Sequence, residues 1–397
     1  MQELPRTAGA VIIGGGVVGA SIAYWLASRG LRDIVLLEKN ALATGATGKS
    51  AGLVRRHYTN RWDAGLAHES WQFFQQWSDV IGGDCGFVKT GFLMLVRPKY
   101  VDNLRRNVEM HVSLGIDSRL VSVDEIRDLE PAVLLDGIGA GAYEPDSGYA
   151  DPVSVATGFA RRAGELGARI IQGVEVTDVE IVGGSVQSVQ TTQGAISTPR
   201  VILACGPWSV AFARKLGIEL PVRVKRVIEV YVRRPPGTSH MTVVDEVSGT
   251  YVRPDGSDVT LLGGRSNDWG TNPDEYDGVA GPDIIERAIE RAVERLPGLA
   301  QAGLLRGIAG VDGYSDDFHQ ILGRAPGVDG LFLAAGGSGT AFKKSPAIGK
   351  CMAELILDGA AATVDIRPFR LERFAENDHV RGEYEYSILE GLGSRLV

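Results

Sequence analysis

Four short, unbroken apolar runs punctuate the chain: Ala10-Val11-Ile12-Ile13, Ile34-Val35-Leu36-Leu37, Val201-Ile202-Leu203-Ala204 and Leu331-Phe332-Leu333-Ala334-Ala335. Alternation would mark a strand with one solvated face; an unbroken run predicts a strand buried on both, as in a parallel sheet between two layers. After the first run come Gly14, Gly16 and Gly19, then Val18, Ile22 and Leu26 at helical spacing and Gly30 as a stop. This predicts a helix of about 13 residues. Helical patterning with Trp71, Phe74 and Trp77 leads to a strand pair over Phe87 to Val96, interrupted at Gly91, and a charged helix around Asp102 to Leu114. A helix follows over Ala150 to Gly167, and Ile181 to Thr192 reads as a hairpin about Gly183-Gly184. Pro221 to Gly264 alternates as strands, and a helix is expected from Asp283 to Leu296. After the last apolar run and Gly336-Gly337-Ser338-Gly339, Ser345 is placed to cap a helix with Pro346 in its first turn. Ile348, Met352, Leu355 and Ile356 then share one face, with Gly359 beyond the end.

Composition narrows the picture. At 397 residues the chain suits one large or two interleaved domains. Its 52 glycines are about twice the average share of roughly 7%, with no Gly-X-Y period, so they belong at turns and close backbone approaches. A net charge of −8 without a basic stripe argues against a nucleic-acid partner. Cys85, Cys205 and Cys351 are too scattered for a disulfide framework or a metal site, which points to a reducing cytoplasm, and no metal is expected. The opening apolar run holds four glycines and lacks a basic leader, and no run of 18 apolar residues occurs elsewhere, so a soluble protein without a transmembrane segment is expected.

Strand, Gly14-x-Gly16-x-x-Gly19 and helix, with Glu38 ending the next strand, meet the demands of a dinucleotide fingerprint. These are a tight turn, a backbone open to the pyrophosphate (Gly14, Gly16, Val17, Val18), a helix dipole aimed at it, and a carboxylate, with Lys39 beside it, for the ribose. The fingerprint alone does not separate FAD from NAD. The stretch after Asn40, with Thr44, Gly45, Thr47, Lys49, Ser50, Ala51 and Gly52, does. A second hydroxyl-rich glycine loop suits a flavin's ribityl chain and pyrophosphate, although it also reads as a surface loop. Further glycine turns follow at Ala204-Cys205-Gly206, before Trp208, and at Gly337-Ser338-Gly339-Thr340. The helix N-terminus beyond the second of these would favour the anionic edge of a reduced flavin.

The segments IIGGGVVGASIAYWLA, IVLLEKN, GATGKSAGLVRRHY, ILACGPWS and GGSGTAFKKSPAIGKCMAELI together resemble the FAD-dependent amine oxidoreductases of the D-amino acid oxidase superfamily, most nearly the sarcosine oxidase branch. The resemblance is collinear from about Ala10 to Phe374. It implies an α/β plus α+β architecture, with a glutathione-reductase-like FAD-binding Rossmann domain (1–85, 150–215, 320–397) interleaved with a mixed-sheet substrate domain (86–149, 216–319). It implies oxidation of a primary or secondary amine, such as an amino acid or N-methyl amino acid, by hydride transfer to flavin N5. Val176 matches a position that contacts adenine through its backbone. Arg55 and Lys343 match a carboxylate clamp. Arg55-Arg56-His57-Tyr58 also reads as a solvated basic loop and Lys343 as a surface lysine, though a cation near a helix start is mildly unfavourable. Tyr251 stands on an alternating strand expected to roof the flavin. Tyr58, Trp208, Tyr314 and Phe342 are further wall candidates, though each taken alone fits a core better than a wall. His319 matches a position where the family often keeps a histidine, or is a turn residue.

The chain departs from the pattern in three places. Gly310-Val311-Asp312-Gly313 lacks the cysteine that anchors FAD in monomeric sarcosine oxidases, so noncovalent FAD is expected unless His57 serves. The lysine that activates oxygen falls at about Leu261, with Arg265 the nearest cation, which leaves oxidase against dehydrogenase open, with O2 or an electron-transfer partner as acceptor. Thr340-Ala341 replaces a frequent His-Gly. The alternatives are an FAD-bearing subunit passing electrons to a partner, in a homo- or hetero-oligomer, a flavoenzyme tailoring a secondary metabolite, and, most distantly, an NAD(P)-linked dehydrogenase. At 397 residues no appended folate-binding domain is expected, and one-carbon capture would then be expected to need a partner. Hydrolase and metalloprotease readings fail because Gln72 stands where His68-Glu69 needs a second histidine and Thr340 where a nucleophile elbow needs glycine.

Overall fold

The computed structural model describes residues 3–264 and 266–386; Arg265 lies outside them. The four apolar runs form the heart of a six-stranded sheet in the order Ile321–Arg324, Leu331–Ala335, Val201–Leu203, Ala10–Ile13, Ile34–Glu38, Arg169–Gln172. All neighbours are parallel except the first pair. Burial on both faces follows from the alternation of side chains. Ile12, Leu36, Ile202 and Phe332 enter one apolar core with the helices, while Val11, Val35, Val201 and Leu333 enter another. On the helical face Val17–Ser28 packs between Pro152–Glu165 and Ala341–Asp358. The last of these comes so close that a Cβ on Gly349 would fall 2.1 Å from Ser21 Oγ. The opposite face is covered by a three-stranded meander, Val176–Val182, Ser185–Thr191 and Gly194–Ser197, which extends the expected hairpin.

A second, eight-stranded mixed sheet runs Gly303–Ser315, Val222–Arg233, Val259–Gly264, Thr250–Asp255, Thr242–Asp245, Phe92–Val96, Ala140–Glu144, Arg119–Val121. Helix Pro282–Arg295 covers one face through Ala288 and Ala292, within an apolar core that includes Val230, Val252 and Leu262.

Two expectations are corrected. Val88–Lys89 and Phe92–Val96 are not paired with each other. Gly91, at φ +72°, turns the chain between sheets, sending the first to a small sheet with Leu53–Val54 and Gly148–Tyr149 and the second to the eight-stranded one. The closing helix begins at Ala341, four residues before Ser345, and carries Pro346 inside it. Proline has no N–H for the carbonyl of Phe342, and Ser345 Oγ supplies the missing donor at 2.7 Å.

Candidate cofactor and substrate site

A cavity of about 850 Å³ lies between the C-terminal ends of the parallel strands and the eight-stranded sheet. Its first part is made largely of backbone. Gly14 has φ +112°, and a Cβ there would sit 2.5 Å from Ala204 O, so the turn admits only glycine. Gly16 starts the first helix with no side-chain cap, which leaves the N-terminal end of that helix facing the cavity. Thr47 Oγ1 takes the Val17 N–H at 3.0 Å and joins the second glycine loop to the first. Glu38 accepts the N–H of Gly15 at 2.7 Å on one oxygen and that of Asn40 at 2.8 Å on the other. At the more exposed end, Asp274 binds both Lys39 Nζ and Trp208 Nε1 at 2.7 Å, and Lys39 lies over the Trp208 ring.

Of the residues expected to hold a dinucleotide, all line this cavity except Gly19: Gly14, Gly16, Val17, Val18, Glu38, Lys39, Gly45, Thr47, Lys49, Ser50, Ala51, Gly52, Val176, Ala204, Gly206, Trp208, Gly337, Ser338, Gly339, Thr340 and Lys343. Gly19 instead packs the helix on the turn, where a Cβ would meet Gly14 O at 2.1 Å. A turn that a single Cβ would fill, two uncapped helix starts at Val17 and Ala341, and a ribose-side carboxylate fit an extended FAD.

The rest of the wall is made of side chains. Arg55 and Lys343 both contribute and are both buried. The Arg55 guanidinium donates to His57 O and stacks 4.6 Å from the Tyr58 ring centroid. The two adjacent lysines go opposite ways. Lys344 points into the protein, giving hydrogen bonds to Asp63 at 2.6 Å and to Gln320 at 2.7 Å. Lys343 faces the cavity, where burial, with Arg55 and Lys344 adding repulsion, holds its ammonium well below the usual lysine range. Asp312 is anchored by the N–H groups of Gly339 and Gly313, each at 2.8 Å, and burial lifts its carboxyl to about 6. Tyr251, Tyr314, Phe342 and Trp208 all line the cavity, and burial followed by the charge of Glu229 raises the Tyr251 phenol well above its ordinary value.

His57, His319 and Tyr58 are not in the wall. His57 is fully buried behind Arg55, its Nε2 3.0 Å from the Tyr386 hydroxyl, and burial, then His111 and Arg55, holds it neutral. His319 Nδ1 lies 2.7 Å from Asp63 Oδ2, in the cluster that also fixes Lys344. His319 occupies its place because the buried charge of Asp63 had to be met from within the core, a demand invisible along the chain. Among the described residues one trio could ligate a metal, His57, His111 and Glu144. It sits beside Arg55 and Arg56, whose charges oppose a dication.

The wall residues that escaped the sequence reading include Lys225, Glu229, Asp274, Asp312 and Gln320. Leu261 is fully buried on Val259–Gly264, while Lys225, on the adjacent strand, brings a cation to the wall, 4.7 Å from the Trp269 ring centroid. The strand alternation from Pro221 was the available signal for Lys225 and Glu229, but it does not say which polar face meets a ligand.

A parallel sheet with a dinucleotide-type glycine turn, facing a mixed sheet across a cavity of about 850 Å³, is the arrangement of a flavoprotein. The chain belongs to the DAO family of FAD-dependent oxidoreductases, whose sequence pattern it matches over residues 10–355. It is 28% identical to human mitochondrial sarcosine dehydrogenase over 96% of this chain, and spans 43% of that protein's length. It is 29% identical to the sarcosine oxidase subunit beta of Arthrobacter sp, with 94% and 92% of the two chains covered. The crystal structure of L-proline dehydrogenase from P. horikoshii superposes with a TM-score of 0.87 at 26% identity, covering 95% of this chain and all of that one. No described helix is long and apolar enough to cross a membrane.

Proposed function

We propose that the chain oxidises the C–N bond of a primary or secondary amine, with an amino acid or N-methyl amino acid as its preferred substrate. The observation that carries this reading is the presence of Arg55 and Lys343 in the wall of the same cavity that holds the dinucleotide grip. Bound FAD supplies the two-electron acceptor for a hydride leaving the carbon beside the nitrogen, and the product is an imine. The chain's own part is to hold the substrate. Arg55 and the protonated form of Lys343 grip a carboxylate, and Tyr251, Tyr314 and Phe342 bound the space. The relatives named for sarcosine and proline support the substrate class.

FAD is taken to be noncovalent. Cys205, which lines the cavity, keeps its proton because burial pushes the thiol up to about 12, and it donates to Ile13 O. His57 is walled off by Arg55 and engaged with Tyr386. The three free cysteines suit a cytoplasmic setting. Anaerobic mixing of the yellow holoenzyme with sarcosine, proline, glycine and D-amino acids tests the reading. Bleaching by at least one of them is expected, and indifference to all would overturn it.

A second reading, that the chain is an FAD-bearing subunit passing electrons to a partner, is favoured by its near-complete coverage of the sarcosine oxidase subunit beta. Admitting air after bleaching separates the two: slow reoxidation points to a partner acceptor, fast reoxidation to O2.

A further inference from the structure

Outside the proposed carboxylate clamp, the cavity wall holds a carboxyl group that forms no ion pair with any described residue. Glu229 lies on Val222–Arg233, in register with Gly263 on the neighbouring strand, and it is buried while lining the cavity. Gly263 has no side chain because the Tyr251 ring occupies that space: a Cβ there would fall 2.2 Å from Tyr251 Cε1. The carboxylate is thereby left beside two phenols. Tyr231 Oη donates to Glu229 Oε2 at 3.1 Å, and Oε1 has no hydrogen-bond partner among the described residues. Two cations lie within electrostatic reach, and both are engaged elsewhere. Arg253 is bound to Ala51 O, to Pro254 O and to Asp255 Oδ1, the last two at 2.8 Å, and Arg306 stacks on the Tyr231 ring at 4.4 Å. No described lysine or arginine forms an ion pair with Glu229. Burial accordingly lifts its carboxyl to about 7.

The cavity wall therefore carries charged groups of both signs, with Arg55, Lys343 and Lys225 as cations and Glu229 and Asp312 as carboxyl groups, and Tyr251 and Tyr314 among the residues that complete it. We propose that Glu229 is a subsite for a second, cationic group of the substrate, so that the preferred substrate is an amino acid whose side chain ends in an ammonium or guanidinium. This rests on the amine-oxidising reading above. A ligand cation would supply a donor to Oε1 and the ion-pair partner that the described residues do not give it.

Lysine, norleucine and 2-aminoadipate have side chains of similar reach with positive, neutral and negative ends, and sarcosine has no side chain. Each, in both enantiomers where chiral, is offered to the holoenzyme and to Glu229→Gln. Binding is read by calorimetry and flavin reduction by anaerobic bleaching. We expect lysine to bind the wild type about 10- to 100-fold more tightly than norleucine, as for a buried charge-assisted hydrogen bond. 2-Aminoadipate should bind most weakly. In Glu229→Gln the lysine preference should fall to within about threefold, while norleucine and sarcosine change little. Equal binding of lysine and norleucine by the wild type overturns the subsite, as does a preference that survives in the variant. The wild-type comparison decides the matter even if the variant does not fold. Failure of every compound, sarcosine included, to bleach the flavin counts against the amine-oxidising reading alone, and the calorimetric preference then decides the subsite by itself.

Discussion

The two sheets meet one cavity with different chemistry. From the parallel sheet the contacts are mainly backbone, at Gly14, Gly16, Gly206 and Gly337, with Glu38 and Lys39 as the chief charges. From the eight-stranded sheet they are side chains: Lys225, Glu229, Tyr251, Asp312 and Tyr314. A pyrophosphate needs close approach of N–H groups, which depends on missing side chains and tolerates little change. A substrate is distinguished by the charge and shape of whatever side chains face it, and those can change while the sheet stays intact. Substitutions on the two sides should accordingly fail in different ways.

The largest effect is expected on the backbone side. Gly19→Val would drive branched carbon into Gly14 O, already 2.1 Å from an ideal Cβ. Neither backbone can yield without distorting the dinucleotide turn, so the cost should exceed the roughly 1–3 kcal/mol of ordinary overpacking. The purified protein should show a flavin-to-protein absorbance ratio near zero. Tyr251→Phe, on the other side, should keep the ratio of the wild type while altering turnover. Loss of flavin in Tyr251→Phe with retention in Gly19→Val would dissolve the contrast.

Next comes the charge cluster behind the cavity. Asp63 is fully buried and receives Lys344 Nζ, Gln320 Nε2 and Asn60 Nδ2 at 2.6, 3.0 and 2.8 Å. Burial opposes ionisation of Asp63, yet Lys344 and His319 outweigh it and hold the carboxyl well below the usual range. Asp63→Asn strands Lys344 and should cost about 3–5 kcal/mol, read as a lowered denaturation midpoint. Asp63→Asn combined with Lys344→Met should recover most of it. Because the folded carboxyl titrates below the unfolded one, this stabilisation is complete above the ordinary carboxylate range and is lost as pH falls toward the depressed value.

The two sides also differ in what the sequence disclosed. The glycine turn beside the cavity was legible because one local motif fixes turn, strand and helix together, and the unbroken apolar runs announced a sheet buried on both faces. Glu229 and Lys225 were not, because a charged residue in an alternating strand reads as solvated, and only packing of that strand against the parallel-sheet side turns it toward a cavity. Asp63 and Lys344 escaped for the same reason, being 281 positions apart and joined only in the folded core. His57 and His319, expected among the site residues, do not reach the cavity and bond Tyr386 and Asp63 in the core instead.

The carboxylate clamp gives a smaller effect with a pH signature. Lys343→Met should raise KM for an amino acid about 10- to 100-fold, the share of one charged hydrogen bond, and leave a simple amine nearly unchanged. Only protonated Lys343 can hold a carboxylate, so the ratio of the two KM values should rise with pH through its depressed titration, well short of the ordinary lysine range. Arg55, Lys344, Asp63 and Asp312 all act on this group, and Asp312, near 6, titrates on the acid side of the interval to be scanned. Lys343→Arg stays charged and should flatten the profile. A ratio independent of pH in the wild type would remove Lys343 from the clamp.

The smallest effect tests how the closing helix sets its glycine loop against the cavity. Pro346 deprives Phe342 O of its usual donor, and Ser345 Oγ replaces it at 2.7 Å inside a fully buried turn. Ser345→Ala leaves that carbonyl without a donor and should destabilise by about 1–2 kcal/mol. Pro346→Ala restores the backbone N–H and makes the hydroxyl redundant, so Ser345→Ala in that background should cost roughly half a kcal/mol or less. The coupling between the two positions, measured as the difference between these costs, isolates the substitution of hydroxyl for amide from any general effect of proline on the helix. Additive costs would mean that the hydroxyl does not stand in for the missing amide, and that the helix start tolerates an unpaired carbonyl next to the cavity.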